Sequence, residues 1–310
     1  MKHSLRIILI LLGMFFITQL IGLAVISQYS PEVIQVKDEE GNLVNKTIYN
    51  LPYGAEPPAE VSPVNTLVSI IIAVAVAVIF MLILMRYKAE FFLRSWFFIV
   101  VSFALGISIY AFIDPLPFSQ LIALIIAIPL AALKLFKRNI IVHNITELFI
   151  YPGIASVFVP LLNIWTVVLL LILISIYDIY AVWHAGFMQK MAQYQIKKLK
   201  FFTGFFVPYL GSKERAQVAL AKQQGDMSKL KNKKIKVNVA ILGGGDVVFP
   251  IILAGVVFNT LGLLEALIIN LGATLALAWL FYISKKGKFY PAMPFISAGC
   301  LIALGIALII

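Results

Sequence analysis

The sequence predicts an all-α polytopic membrane protein with nine transmembrane helices, its N-terminus in the cytoplasm and its C-terminus outside. Three observations carry this. Hydrophobic residues make up 62% of the 310 positions and charged residues only 13%, whereas soluble domains average about 25% charged. The apolar residues fall in runs near the ~20 residues that a ~30 Å hydrocarbon core requires. The basic residues flank those runs on alternate sides.

In chain order the spans are Leu5–Ile26, Val64–Met85, Trp96–Ile113, Ser119–Leu135, Ile145–Leu162, Ile164–Ala185, Asn238–Thr260, Ala266–Ile283 and Phe289–Ile310. The first follows Lys2 and Arg6 as a secretion signal would, but its apolar stretch exceeds the usual ~7–15 residues of a signal core, so it is read as a helix that stays. With the N-terminus inside, 23 of the 25 Lys and Arg residues lie on the cytoplasmic side, Lys134 among them, and only Lys37 and Lys46 lie outside. The net charge of +11 therefore reports topology under the positive-inside rule. Nothing resembles a nucleic-acid-binding signature, so no nucleic-acid partner is expected. The single cysteine, Cys300, excludes a disulfide framework and a Cys-based metal site.

The whole of 1–310 reads as one membrane domain without internal repeats: helices one to six over 5–185, a basic cytoplasmic loop over 186–236 and helices seven to nine over 238–310. The expected location is the cell membrane. The outer segment Pro31 to Pro63, acidic and proline-rich, reads as a solvated loop. In the inner loop, Phe201, Phe202, Phe205 and Phe206 within basic surroundings suggest contact with the anionic leaflet.

A carboxylate in the middle of a membrane costs about 2.5–3.5 kcal/mol on insertion scales, so acids inside apolar runs are candidates for function. Glu147 is set aside as the end of a capping box opened by Asn144, and Asp114 as a turn residue. His143 and His184 read as interfacial. Asp178 and Asp246 remain. Asp178 lies 7 residues before the inner end of span six and Asp246 lies 8 residues after the inner start of span seven. At about 1.5 Å per residue both sit roughly 11–12 Å below the cytoplasmic surface. Two carboxylates close together share a proton and can act as general acid and base on water. The same pair could instead carry a proton or cation in a transporter, or serve structure.

The surrounding residues are Ile176–Tyr177–Asp178–Ile179–Tyr180, Leu242–Gly243–Gly244–Gly245–Asp246–Val247 and Tyr290–Pro291–Ala292–Met293–Pro294. They resemble the Tyr-Asp, Gly-x-Gly-Asp and Pro-Ala-Leu motifs of the presenilin and signal peptide peptidase family of intramembrane aspartyl proteases, and with so little beyond nine spans the chain is similar to a microbial member. The resemblance implies that Asp178 and Asp246 are the catalytic pair of an aspartic endopeptidase, that no metal or cofactor is needed, and that substrates are transmembrane helices of other proteins in the bilayer. Partner subunits are unknown.

Around the pair, Gly243 and Gly245 would let another backbone approach, or would serve ordinary helix packing. Tyr177 either donates a hydrogen bond at the pair or packs its ring. Pro291 and Pro294 predict an extended stretch at the start of span nine. Met293 departs from the family's Leu, which leaves its role less defined than those of Pro291 and Ala292. A zinc protease motif and a serine elbow are absent from the sequence; a proton- or cation-coupled transporter is the alternative from another class. Lys234–Ile235–Lys236–Val237–Asn238–Val239 alternates in the manner of a strand and could offer an edge to an unwound substrate.

Overall fold

The computed structural model describes residues 5–37, 43–55, 57, 62–87, 89–137, 139–185, 203–210, 237–284 and 290–310. Nine apolar helices occur among them: α1 Leu5–Gln28, α2 Pro63–Arg86, α3 Glu90–Ile113, α4 Ser119–Phe136, α5 Ile140–Phe158, α6 Ile164–Tyr180, α7 Gly244–Thr260, α8 Leu263–Ile283 and α9 Met293–Ala307. Seven are long and apolar enough to cross a membrane; α7 and α9, with 17 and 15 residues, are shorter. Two hairpin-like pairs complete the fold, β1 Glu32–Lys37 with β2 Leu43–Ile48 and β3 Gly204–Leu210 with β4 Val237–Gly243, both antiparallel.

Helix α7 lies at the centre. Val247 and every residue from Pro250 to Val257 are buried, the pattern of a helix that is apolar all round and enclosed by others. It packs against α1, α5, α6, α8 and α9. Helix α1 is equally integral, with Phe15 and Gln19 fully buried and the Gln19 amide donating to the Val247 carbonyl at 3.1 Å. At the other extreme, α2 exposes Val68, Ile71, Ile72, Val76 and Ile79, which is the surface of a helix facing hydrocarbon.

Several boundaries depart from the sequence reading for local reasons. Helix α5 starts at Ile140 because Asn139, not Asn144, is its N-cap, its side chain accepting from the Ile141 and Val142 N–H groups at 2.9 and 3.3 Å. The expected capping box at Asn144 and Glu147 therefore does not form, and both residues sit inside the helix. Helix α3 begins six residues earlier than Trp96, at Glu90. Span seven was expected as helix from Asn238, but 237–243 is strand and the helix begins at Gly244. Span nine was expected from Phe289 and is helical only from Met293.

The outer segment is likewise more ordered than a solvated loop. Beyond the β1–β2 pair, Leu51 is buried in a cluster with Val25, Tyr29, Ile107 and Ala111, and Tyr53, held at φ 61°, donates its hydroxyl to the Gln120 carbonyl at 2.8 Å. This ties the segment to the ends of α1, α3 and α4. Phe205, expected on the inner leaflet, is fully buried in the main core, while Phe201 and Phe202 lie outside the described residues.

Candidate active site

Asp178 sits in the last turn of α6, which Asn163 and Thr166 open with a capping box and which continues past Tyr180 as a wider π turn over Ala181–Ala185. The residue is only 6% exposed. Its Oδ2 accepts the Met293 N–H at 3.1 Å. That donor belongs to the first turn of α9, where the Pro residues at 291 and 294 carry no N–H of their own. The Ala292 N–H is also directed at this carboxylate, so the positive end of the α9 dipole faces it through the two main-chain donors between the prolines. One turn away along both helices, the Ser175 hydroxyl donates to that of Ser297 at 2.9 Å, a second tie between α6 and α9 beside the acid.

Asp246 occupies the third position of α7, after Gly243 as N-cap. Its side chain folds back over that cap: a Cβ added at Gly243 would lie 3.2 Å from Asp246 Oδ2, and the Gly243 N–H is directed at the carboxylate. An acid at this position reaching back to the cap N–H satisfies one of the orphan donors of the helix start. Helices α6 and α7 pack together, and Asp178 and Asp246 lie within electrostatic reach of each other. The fold thus brings together the two acids picked from the sequence.

A family model for signal-peptide peptidase and presenilin aspartyl proteases matches residues 43–310. The chain belongs to this family of aspartyl proteases. It is therefore an aspartic endopeptidase of the intramembrane-cleaving kind and an integral, multi-pass membrane protein. Two solved structures of presenilin family intramembrane aspartate proteases share its fold. One, in space group C222, is 18% identical with a TM-score of 0.57 over 97% of this chain and 98% of that one. The other, in space group P2, is 19% identical with a TM-score of 0.56 over 96% of each chain. No curated protein sequence matches the chain. The transporter alternative gains no support.

Of the other motif residues in this protease, Pro291 is buried, Ala292 is the helical cap residue of α9, and Met293 is buried with its N–H on Asp178. The expected extended stretch thus ends before Ala292, and Pro294 is helical, at a first-turn position where its missing N–H costs no hydrogen bond. Tyr177 is 40% exposed, on a different face of α6 from Asp178. The glycines divide their work otherwise than expected. The close approach is at Gly244, where a Cβ would fall 2.7 Å from the Tyr151 ring, while Gly243 makes room for the Asp246 carboxylate and Gly245 has nothing nearer than Phe249 at 3.8 Å.

Sequence reasoning missed a buried polar cluster beneath this site. Glu147 is 1% exposed and accepts from Lys134 of α4 in a buried ion pair. It also accepts the Gly204 N–H at 3.2 Å. His143, expected at the interface, is buried, its Nε2 2.8 Å from the Gly204 carbonyl and its ring 4.5 Å from that of Phe206. Asn144 grips both main-chain groups of Phe206, donating to its carbonyl at 3.0 Å and accepting its N–H at 3.2 Å. Removing one partner of a buried ion pair costs about 3–5 kcal/mol because the other charge is left uncompensated. The available signal was Lys134 itself, a cation in an apolar run opposite an acid in the next. His184 lies where its side chain is not described.

Proposed function

We propose that the protease hydrolyses peptide bonds within transmembrane segments of other proteins, with Asp178 and Asp246 as catalytic pair and the whole of 1–310 as one domain in the cell membrane. The observation that carries this is the pairing of two carboxylates on adjacent helices, each steered by a main-chain donor. One carboxylate takes a proton from water as its oxygen attacks the carbonyl carbon, while the protonated partner gives its proton to the carbonyl oxygen. Collapse of the resulting diol breaks the C–N bond and returns a proton to the amine. Tyr177 borders the pair on its exposed side, where a substrate would lie, and Gly243, Gly245, Pro291, Ala292 and Met293 shape the site.

A transmembrane substrate must be locally unwound to expose its carbonyls, and β4 supports a reception site for the extended chain. Gly204 and Phe206 turn their main-chain groups to α5, so antiparallel alternation makes Phe205, Val207 and Tyr209 the residues bonded to Leu242, Ala240 and Asn238. Pro208, which has no N–H, then falls at a position facing away from β4. The main-chain groups of Val239 and Ile241 consequently face the far edge of β4, where no further strand pairs among the described residues, and the Gly243 N–H, already directed at Asp246, ends that edge at the acid. An added substrate strand there would lead toward Asp246. The strand read at Lys234 to Val239 thus agrees over 237–239; 234–236 lie outside the described residues. The nine helices, with the N-terminus inside and the C-terminus outside, put this edge on the cytoplasmic half.

The test is incubation of detergent-purified protein with a synthetic transmembrane peptide, the products mapped by mass spectrometry. Cuts inside the apolar segment by the wild type, absent with Asp246→Asn, are expected. Cuts that persist in the variant would refute the reading.

A further inference from the structure

We propose that the buried cluster of Lys134, Glu147, His143 and Asn144 is a clamp of positioning residues that sets where Asp246 sits, an inference that rests on the catalytic role proposed above. The connection is continuous. Lys134 of α4 holds Glu147 of α5, and Glu147 and His143 take the N–H and the carbonyl of Gly204 respectively. Gly204 stands opposite Gly243 in the β3–β4 pair. Gly243 is the N-cap of α7, and Asp246 is in its first turn. Two residues along, Asn144 fixes Phe206, which stands opposite Ile241.

Three features favour positioning over mere filling of space. Gly204 adopts φ 144°, a conformation that side chains disfavour, and both its main-chain polar groups are spoken for by ionisable side chains of α5. An apolar core would have served simple stability as well, since buried ion pairs replaced by packed hydrophobic residues often leave proteins at least as stable. Finally, a cavity of about 210 Å³ lies between the clamp and the α7 start, lined by Lys134, Glu147, Tyr151, Thr203, Gly244 and Gly245 among others. On the cavity side, packing therefore gives the start of α7 no support, and the hydrogen-bonded ties through β3 fix its place there.

The experiment compares two double variants that both remove the charges. Lys134→Met with Glu147→Gln keeps an acceptor for the Gly204 N–H; Lys134→Met with Glu147→Leu does not. Cleavage of the transmembrane peptide and amide hydrogen exchange over 203–210 and 237–246 are measured on both, in detergent. The Gln double variant is expected to hold kcat within about threefold of wild type, while the Leu double variant loses about tenfold or more in kcat with KM changed by less than about twofold. Exchange over both segments should be faster by about tenfold or more in the Leu variant alone. Equal behaviour of the two variants, or a change confined to KM, would overturn the clamp. Should the Leu variant fail to fold, His143→Leu, which releases the Gly204 carbonyl and the ring's 3.4 Å contacts with Lys134 and Glu147 but leaves both members of that ion pair in place, must show the same signature at about threefold, and its absence overturns the proposal equally. Contrasting exchange in a protein whose wild type cleaves nothing upholds the tie to α7 and refutes the catalytic reading instead.

Discussion

At the scale of single residues, the glycines before Asp246 give opposed expectations. An added Cβ at Gly244 meets the Tyr151 ring at 2.7 Å, and that ring is buried with its edge to Phe205 at a centroid distance of 5.8 Å, so it can yield only by giving up this contact and moving into the cavity beside Lys134 and Glu147. Gly244→Ala should lower stability by about 1–3 kcal/mol, as overpacking does, and displace the start of α7. Gly245→Ala, with ordinary space around it, should melt within about 2 °C of wild type. Thermal unfolding in detergent checks both, and equal damage from the two would contradict the packing described. The same residue scale shows how much of the site was legible. Asp178 and Asp246 stand out because a carboxylate in an apolar run is costly and must be used. Glu147 was equally costly but was concealed by a local coincidence: Asn144 and Glu147 have capping-box spacing, whereas the structure caps the helix at Asn139, five residues earlier, and brings Lys134 of the preceding helix onto the acid.

At the scale of elements, the start of α9 carries a second expectation. Pro291 lies just before the Ala292 and Met293 donors, and with Pro294 it leaves these two N–H groups to meet Asp178. Pro291→Leu restores an N–H and frees the backbone to begin the helix early, moving those donors. Cleavage should fall about tenfold with little loss of folded protein; unchanged turnover would assign Pro291 to helix termination only. The helices were legible as apolar runs, their ends less so. Strand β4 was half legible, since Val237 to Val239 alternates, but Ala240–Ile241–Leu242 is apolar without alternation and reads as a continuation of the span. What makes it strand is its partner β3, far away in sequence and itself held by α5. Pairing of this kind leaves no trace in a local pattern.

At the scale of the molecule, the proposed topology has a directional consequence. With the N-terminus inside, α6 runs outside to inside and α7 returns, and strand pairing at β4 fixes one substrate direction. By resemblance to presenilins this favours substrates with the N-terminus outside, cut near their cytoplasmic end, whereas signal peptide peptidases take the opposite sense. In oriented proteoliposomes the N-outside form of a matched pair should be cut faster; faster cleavage of the N-inside form would reverse the inference. The central claim, one unit made of two carboxylates, is tested most directly by comparing cleavage rates of Asp178→Asn, Asp246→Asn and the double variant, all verified as folded. Residues that act as a unit are strongly non-additive, so each single variant should lose about 1,000-fold or more and the double variant no more than either. A single variant that cleaves at near the wild-type rate would contradict the account.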